Sequence, residues 1–432
     1  MPPAMQRDTQ IVGGQVSGPV RWAGLVLVSA SLWAGGCRSV LGIDDTDVVP
    51  DDCFPGTHEE GQGVGWWSKC NEEQACFSAG VPAQSDRPTT EDGPDLDTFY
   101  LANRTTHMGS RNQAGQLDGN AWKGIGFDLD GVCTLSPPCE SAAEPGSCRT
   151  ESITAPVDGT LCRDNQIGKL AFLFETQERL QGILPSDPQF NCSLCRGDYN
   201  FLLRIQGYNG TENDPAVRVD FYPSTGLDTR KDLDCSRDDW DTGDPAACWT
   251  RADKWNIQRE SLERPELGIM SNSIASDTSA YVRAGTLFVQ MPPNTDMWYP
   301  SDPAGNRLMP LKVQEGTLTG NLRKTEAGWV LDDGLITGRT KAVDLLGSLE
   351  RIGVCPGTDA HVDASFFAGA ALDVLSSGET QPEVPCDSLS LGLALTAAEA
   401  DVGVVESFPL PDDCQLEADP PAEPTAPSES VE

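Results

Sequence analysis

The cysteines constrain this chain more than any other feature. Fifteen are spread over its 432 residues, an odd number that leaves one without a partner. With Cys37 set aside, fourteen remain: Cys53, Cys70, Cys76, Cys133, Cys139, Cys148, Cys162, Cys192, Cys195, Cys235, Cys248, Cys355, Cys386 and Cys414. An even set spaced along an exported chain reads as a disulfide framework, which persists only in an oxidising compartment. Each bridge that closes a long loop contributes ~2–4 kcal/mol by restricting the unfolded chain. Cys192 and Cys195 have the CxxC spacing of redox and zinc sites. Zinc needs a second such pair or converging histidines, and His58, His107 and His361 are scattered. A redox pair opens a helix after a strand, whereas "RGDYNFLLRI" leads straight into a strand. Structural bridges are expected for both cysteines, with the pairing open.

Cys37 is set aside because of what precedes it. Trp22 to Gly36, "WAGLVLVSASLWAGG", is an uncharged, mostly apolar run behind Arg21. It is shorter than the ~20 residues that span a bilayer and suits the apolar core of an export signal. The run ends in Ala34-Gly-Gly-Cys37, similar to a bacterial lipobox except that Ala34 stands where Leu is usual. Cys37 is therefore the expected lipidation site, and the membrane the expected partner through that lipid. Arg38 follows, where Asp would signal inner-membrane retention, so the outer membrane is expected by analogy. A plain signal peptide cut at the small residues would give a periplasmic protein instead. The leader ahead of the apolar run is long enough that translation starting downstream of Met1 also fits.

Organisation follows from pattern. Residues 1–36 read as the signal peptide, 37–52 as a lipid-attached tether, and 53–95 as a small disulfide-pinned region with a linker. Residues 96–300 read as a β-rich domain. In "NFLLRIQGY", Phe201, Leu203 and Ile205 alternate with Leu202, Arg204, Gln206 and Tyr208, and "VRVDFYP" alternates likewise. "KLAFLFE" and "YVRAGTLFVQM" are predicted strands, with "TQERLQGIL" a short helix. Residues 301–414 read as an α+β unit. "GTLTG" and "GLITG" mirror each other about Ala327-Gly328, which predicts a hairpin with glycines opposite glycines. Thr340 is the expected cap of a helix burying Val343, Leu346, Leu349 and Ile352. "VDASFFAGAALDVLSS" reads as a second helix, and "SLSLGLALTAAEADVGVV" as a strand. Residues 415–432, acidic and Pro-rich, read as a disordered tail. The expected fold is mainly β: an antiparallel sandwich-like domain followed by a smaller α+β unit, stapled by disulfides.

One motif suggests chemistry. "GFDLDGVCT" at 126–134 resembles the nucleophile loop of haloacid-dehalogenase-type phosphatases. The resemblance implies that Asp128 attacks phosphorus and Asp130 protonates the leaving group, with Mg²⁺ offsetting charge. That chemistry needs a buried parallel strand ahead of the loop, and Trp122-Lys-Gly-Ile-Gly126 is too polar and glycine-rich to be one. Read as a strand, the segment puts Asp128 and Asp130 on one face, where paired carboxylates can ligate Ca²⁺ or simply meet solvent. A second Ca²⁺ candidate is Asp239, Asp241 and Asp244 in "RKDLDCSRDDWDTGD", although Gly243 breaks the EF-hand frame. The plainer alternative there is a solvated loop bounded by Cys235 and Cys248. The expectation is no cofactor, with Ca²⁺ as the alternative at these aspartates. Ten tryptophans, among them Trp66-Trp67, Trp240, Trp249, Trp255 and Trp298, offer either sugar-stacking surfaces or core.

Charge narrows the partners. Sixty-six acidic against 30 basic residues give a net charge of −36, which repels nucleic acid and anionic lipid surfaces. The segments "GCRSVLGIDD", "GFDLDGVCT", "DGTLCRDNQIGKL", "CSLCRGDYNFLLRIQGYNG", "VRVDFYPS", "LITGR", "LSSGE" and "CDSLSLGL" together resemble a group of cysteine-rich exported lipoproteins of Gram-negative soil bacteria. The resemblance implies an extracytoplasmic location and brings no assigned activity. The expectation is a lipid-anchored envelope or surface protein with a non-enzymatic binding or structural role, its partner a carbohydrate or another envelope protein. The alternatives are an exported hydrolase of polysaccharide or phosphoester, or a Ca²⁺-dependent carbohydrate-binding module.

Overall fold

The computed structural model describes residues 80–408, apart from 90–92, 113, 135–145, 151–155, 237–246 and 301–307, together with Cys414. The signal, the tether, the tail, Cys37, Cys53, Cys70, Cys76 and Cys139 lie outside the described residues. The strands are β1 (Phe99–His107), β2 (Asn200–Gln206), β3 (Asp214–Leu227), β4 (Lys254–Gln258), β5 (Ser276–Arg283), β6 (Thr286–Gln290), β7 (Thr295–Pro300), β8 (Leu308–Thr325), β9 (Gly328–Lys341) and β10 (Ser388–Glu406). The helices are α1 (Gln166–Thr176), α2 (Asp187–Arg196), α3 (Ala342–Arg351) and α4 (Asp359–Ala370). The mainly β, disulfide-stapled expectation holds.

The sandwich-like expectation takes the form of one sheet closed on itself. β1 pairs with β2, β2 with β3, β3 with β5, β5 with β6 and β6 with β8, all antiparallel. β8 then pairs with β9, β9 with β10, and β10 returns to β1, again antiparallel. Eight strands thus close a barrel, which leaves no free sheet edge along the circuit. β4 lies alongside, parallel to β10 and antiparallel to β3, and β7 pairs with β8. The expected boundary near residue 300 separates no strands, because β8, β9 and β10 complete a circuit begun by β1–β6. Among the described residues no helix is long and apolar enough to cross a membrane.

Both faces of β2 are buried, not one. Phe201 stacks on Phe221 with ring centroids 5.4 Å apart. Leu202 on the other face joins Tyr222, Trp249, Trp255 and Ile257 in a second apolar cluster. Arg204, expected at a polar surface, is buried against Asp220 at 2.7 Å, with side chains 4% and 0% exposed.

Five local expectations are corrected. "KLAFLFE" belongs to α1: the Asn165 side chain accepts from the Gly168 amide at 2.9 Å, and Leu170, Leu173 and Phe174 recur at helical spacing toward the core. "TQERLQGIL" past Thr176 forms turns rather than a helix. Lys341 precedes α3 without a side-chain cap, while the Thr340 hydroxyl donates to the Lys312 carbonyl instead. The inward stripe of α3 runs through Leu345 and Leu349 to Ile352, and Val343 is 72% exposed. α4 ends at Ala370, short of the expected span, because Val374 bridges to Ser388 and turns the chain onto β10. The glycine hairpin is as expected, with Gly320 facing Gly334 and Gly316 facing Gly338 across β8 and β9.

Candidate metal centre

The residues of "GFDLDGVCT" form no strand; they make a loop carrying one isolated parallel bridge, from Asp128 to Gly80. Two short side-chain loops shape it. Asp128 Oδ1 accepts from the Gly131 amide at 2.7 Å, and Asp130 Oδ1 from the Val132 amide at 2.8 Å. These are Asx turns, which Asp favours because its carboxylate reaches its own backbone two or three residues on. Gly126 adopts φ +129°, and a Cβ there would sit 2.7 Å from the Asp164 carbonyl, so only glycine lets the two chains approach.

The partner chain is the loop 158–164. The Asp164 amide donates to the Phe127 carbonyl at 2.9 Å, and the Leu129 amide to Asp164 Oδ2 at 2.7 Å. The Asp158 amide donates to the Thr134 carbonyl at 2.8 Å, and the Cys133–Cys162 disulfide joins the two loops covalently. The result brings ligand oxygens of Asp128, Asp130 and Asp164 within 4.8 Å of one another. Oxygens coordinating one Ca²⁺ at ~2.3–2.6 Å stand at such mutual spacings. Asp373 approaches from the segment after α4, its carboxylate held by the amide and hydroxyl of Ser390 on β10. Arg339 of β9 donates to the Leu129 carbonyl at 2.5 Å and to Glu315 at 2.8 Å, and Thr380 donates to the Asp130 carbonyl at 2.8 Å.

Burial decides what this cluster can do. Asp128, Asp158 and Asp164 are 6%, 7% and 1% exposed. Burial pushes the Asp158 and Asp164 carboxyls well above the ordinary carboxylate range, and the charges of neighbouring aspartates add to it. Burial raises Asp373 to about 7, with the Asp130 charge contributing and the Ser390 bonds opposing. Carboxylates crowded out of water demand positive charge nearby, supplied by protons or by a metal ion that displaces them.

The sequence reading found Asp128 and Asp130 and missed Asp158, Asp164 and Asp373. Their available signal was "DGTLCRDNQIGKL", which places two aspartates around Cys162, the bridge partner of Cys133. The other expected metal ligands, Asp239, Asp241 and Asp244, lie outside the described residues.

The phosphatase geometry is absent from the described loop. Asp128 follows no parallel strand, and Cys133 is bridged to Cys162. Among the described residues the other cysteines pair as Cys148–Cys386, Cys192–Cys235, Cys195–Cys248 and Cys355–Cys414. Cys192 and Cys195 therefore take different partners, and each end of the loop 235–248 is tied to α2 rather than to the other end. Trp122, Trp249, Trp255, Trp298 and Trp329 are all at most 7% exposed, so none of them offers a sugar-stacking face. Compared with protein-family models, curated proteins and solved structures, the chain matches none.

Proposed function

We propose that this is an exported, lipid-attached envelope protein with a binding or structural role, and that its acidic centre holds Ca²⁺. One observation carries the metal: three carboxylates from two loops converge, Asp128 and Asp164 almost fully buried and Asp130 half-buried. A hydrolytic pair must meet its substrate in an open cleft, whereas Asp128 and Asp164 are 6% and 1% exposed. A bare cation needs no such access. Bound there it would neutralise Asp128, Asp130 and Asp164 and lock the two loops to one another. Five disulfides among the described residues support the exported setting, because such bridges are rare in reducing compartments.

Calorimetric titration of the mature, oxidised chain with Ca²⁺ tests the centre. One ion is expected per chain, with a rise in melting temperature, and Asp164→Asn should abolish both. No binding up to ~1 mM, the weak end of extracellular Ca²⁺ modules, would sink the assignment. Lipid attachment is tested separately by Cys37→Ala, which should release the protein from detergent-extracted membranes. Unchanged partitioning would refute it.

A further inference from the structure

A cavity of about 50 Å³ lies where α1 crosses the ends of β8 and β10. Leu311 of β8 and Leu391 and Leu393 of β10 form its floor, and Ile167, Ala171 and Phe174 of α1 form one wall. The floor follows from strand periodicity, since residues 391 and 393 share a face. The wall follows from helical periodicity, since residues 167, 171 and 174 are spaced four and three apart. The floor leucines are at most 3% exposed, whereas Ile167 and Ala171 of α1, with Met108 and Leu184, are half-buried, so the opening to solvent lies away from the strand floor, along α1 and these two neighbours.

Two features separate this space from the small voids of ordinary packing. Close-packed interiors hold few voids larger than a water, and a water fits in ~10–15 Å³ of such space. This cavity is several times that size. No charged residue lines it, and no polar atom reaches its surface. A water inside would forgo the two to four hydrogen bonds it needs, so the space favours carbon. β8 and β10 both belong to the closed eight-stranded circuit, and barrels of that size have room for their own side chains or one small ligand.

We propose that this cavity binds a hydrocarbon group, the end of an alkyl or acyl chain entering past Ile167 and Ala171. None of the centre's carboxylates lines it, so the site stands whether or not Ca²⁺ binds. The test uses the full chain with its disulfides intact, titrated calorimetrically with 1-octanol and with monomeric dioctanoyl phosphatidylcholine. Saturable binding of one molecule per chain is expected for at least one probe. Octanol alone would indicate a free single-chain amphiphile, and binding of the phospholipid would indicate a membrane lipid. Ala171→Leu fills the opening and should weaken binding about tenfold, the contribution of roughly two buried methylenes. If that variant fails to fold, methyl NMR of the unaltered chain replaces it: octanol must shift the Leu391 and Leu393 methyls. The proposal is overturned if neither probe saturates, if Ala171→Leu binds as tightly as the parent, or if those methyls do not respond.

Discussion

Asp187→Asn should make the protein more stable at neutral pH than it is with its native residue. Asp187 opens α2, is 2% exposed, and neither of its carboxylate oxygens reaches a well-formed hydrogen bond. Burial pushes its carboxyl up to about 7, and the Glu175 charge adds to the shift. The nearby Met108 amide, Arg111 guanidinium and Ser110 hydroxyl oppose it only in part. In the unfolded chain the same group titrates near ~3.9. Between those values the folded protein keeps a proton that the unfolded chain has released, so stability falls as pH rises from about 4 to about 7 and levels off above. A difference of ~3 units corresponds to ~4 kcal/mol as an upper bound, since each unit is worth ~1.4 kcal/mol. Asparagine keeps the shape without the titration. Urea denaturation with intact disulfides, run across this pH range, should show the two proteins converging near pH 4 and separating in the variant's favour toward pH 7. Asp158, Asp164 and Asp373 slope in the same direction and cancel in the difference. Parallel profiles would refute the reasoning.

Gly338→Ala should cost ~1–3 kcal/mol, the usual range for overpacking. The new Cβ would sit 2.5 Å from Val313 Cγ1 and 3.1 Å from Gly316 Cα, with the opposite strand behind it. An unchanged urea midpoint would mean the glycine pairing does not set the β8–β9 spacing. Replacing Cys148 and Cys386 together by alanine opens a bridge between residues 238 apart in sequence and should cost ~2–5 kcal/mol. The thermal midpoint reads this directly, and no loss would show that the bridge closes nothing the fold does not already hold.

How much of this was legible depends on the range of the interaction. The β8–β9 hairpin was readable because its turn and its glycine pairs lie within a few residues of one another. β10 was readable from its own alternation. α1 was misread because "KLAFLFE" is a short apolar run, and periodicity alone cannot tell a buried strand from a buried helix. The deciding residue, Asn165, stands just ahead of the run and caps it. Closure of the barrel was out of reach: β1 meets β10 through pairs such as Tyr100 with Ala400, and no local pattern announces a contact that distant.

The acidic centre shows the same limit in chemical form. In a chain with 66 acidic residues, a pair of aspartates carries little information, since most such pairs sit in water. What distinguishes Asp128 and Asp130 is the company of Asp164 and Asp158, and that depends on the Cys133–Cys162 bridge drawing two loops together. Cysteine pairing cannot be read from spacing. Burial then converts surplus charge into a demand for compensation, which solvent no longer supplies. Asp239, Asp241 and Asp244 are the denser cluster in sequence, yet density alone gives no reason to exclude water. A site arises where the fold makes carboxylates expensive to leave bare. In this chain the Cys133–Cys162 bridge joins the two loops that carry the carboxylates, so the proposed Ca²⁺ centre depends on it: reducing that bridge should weaken Ca²⁺ binding without touching a ligand.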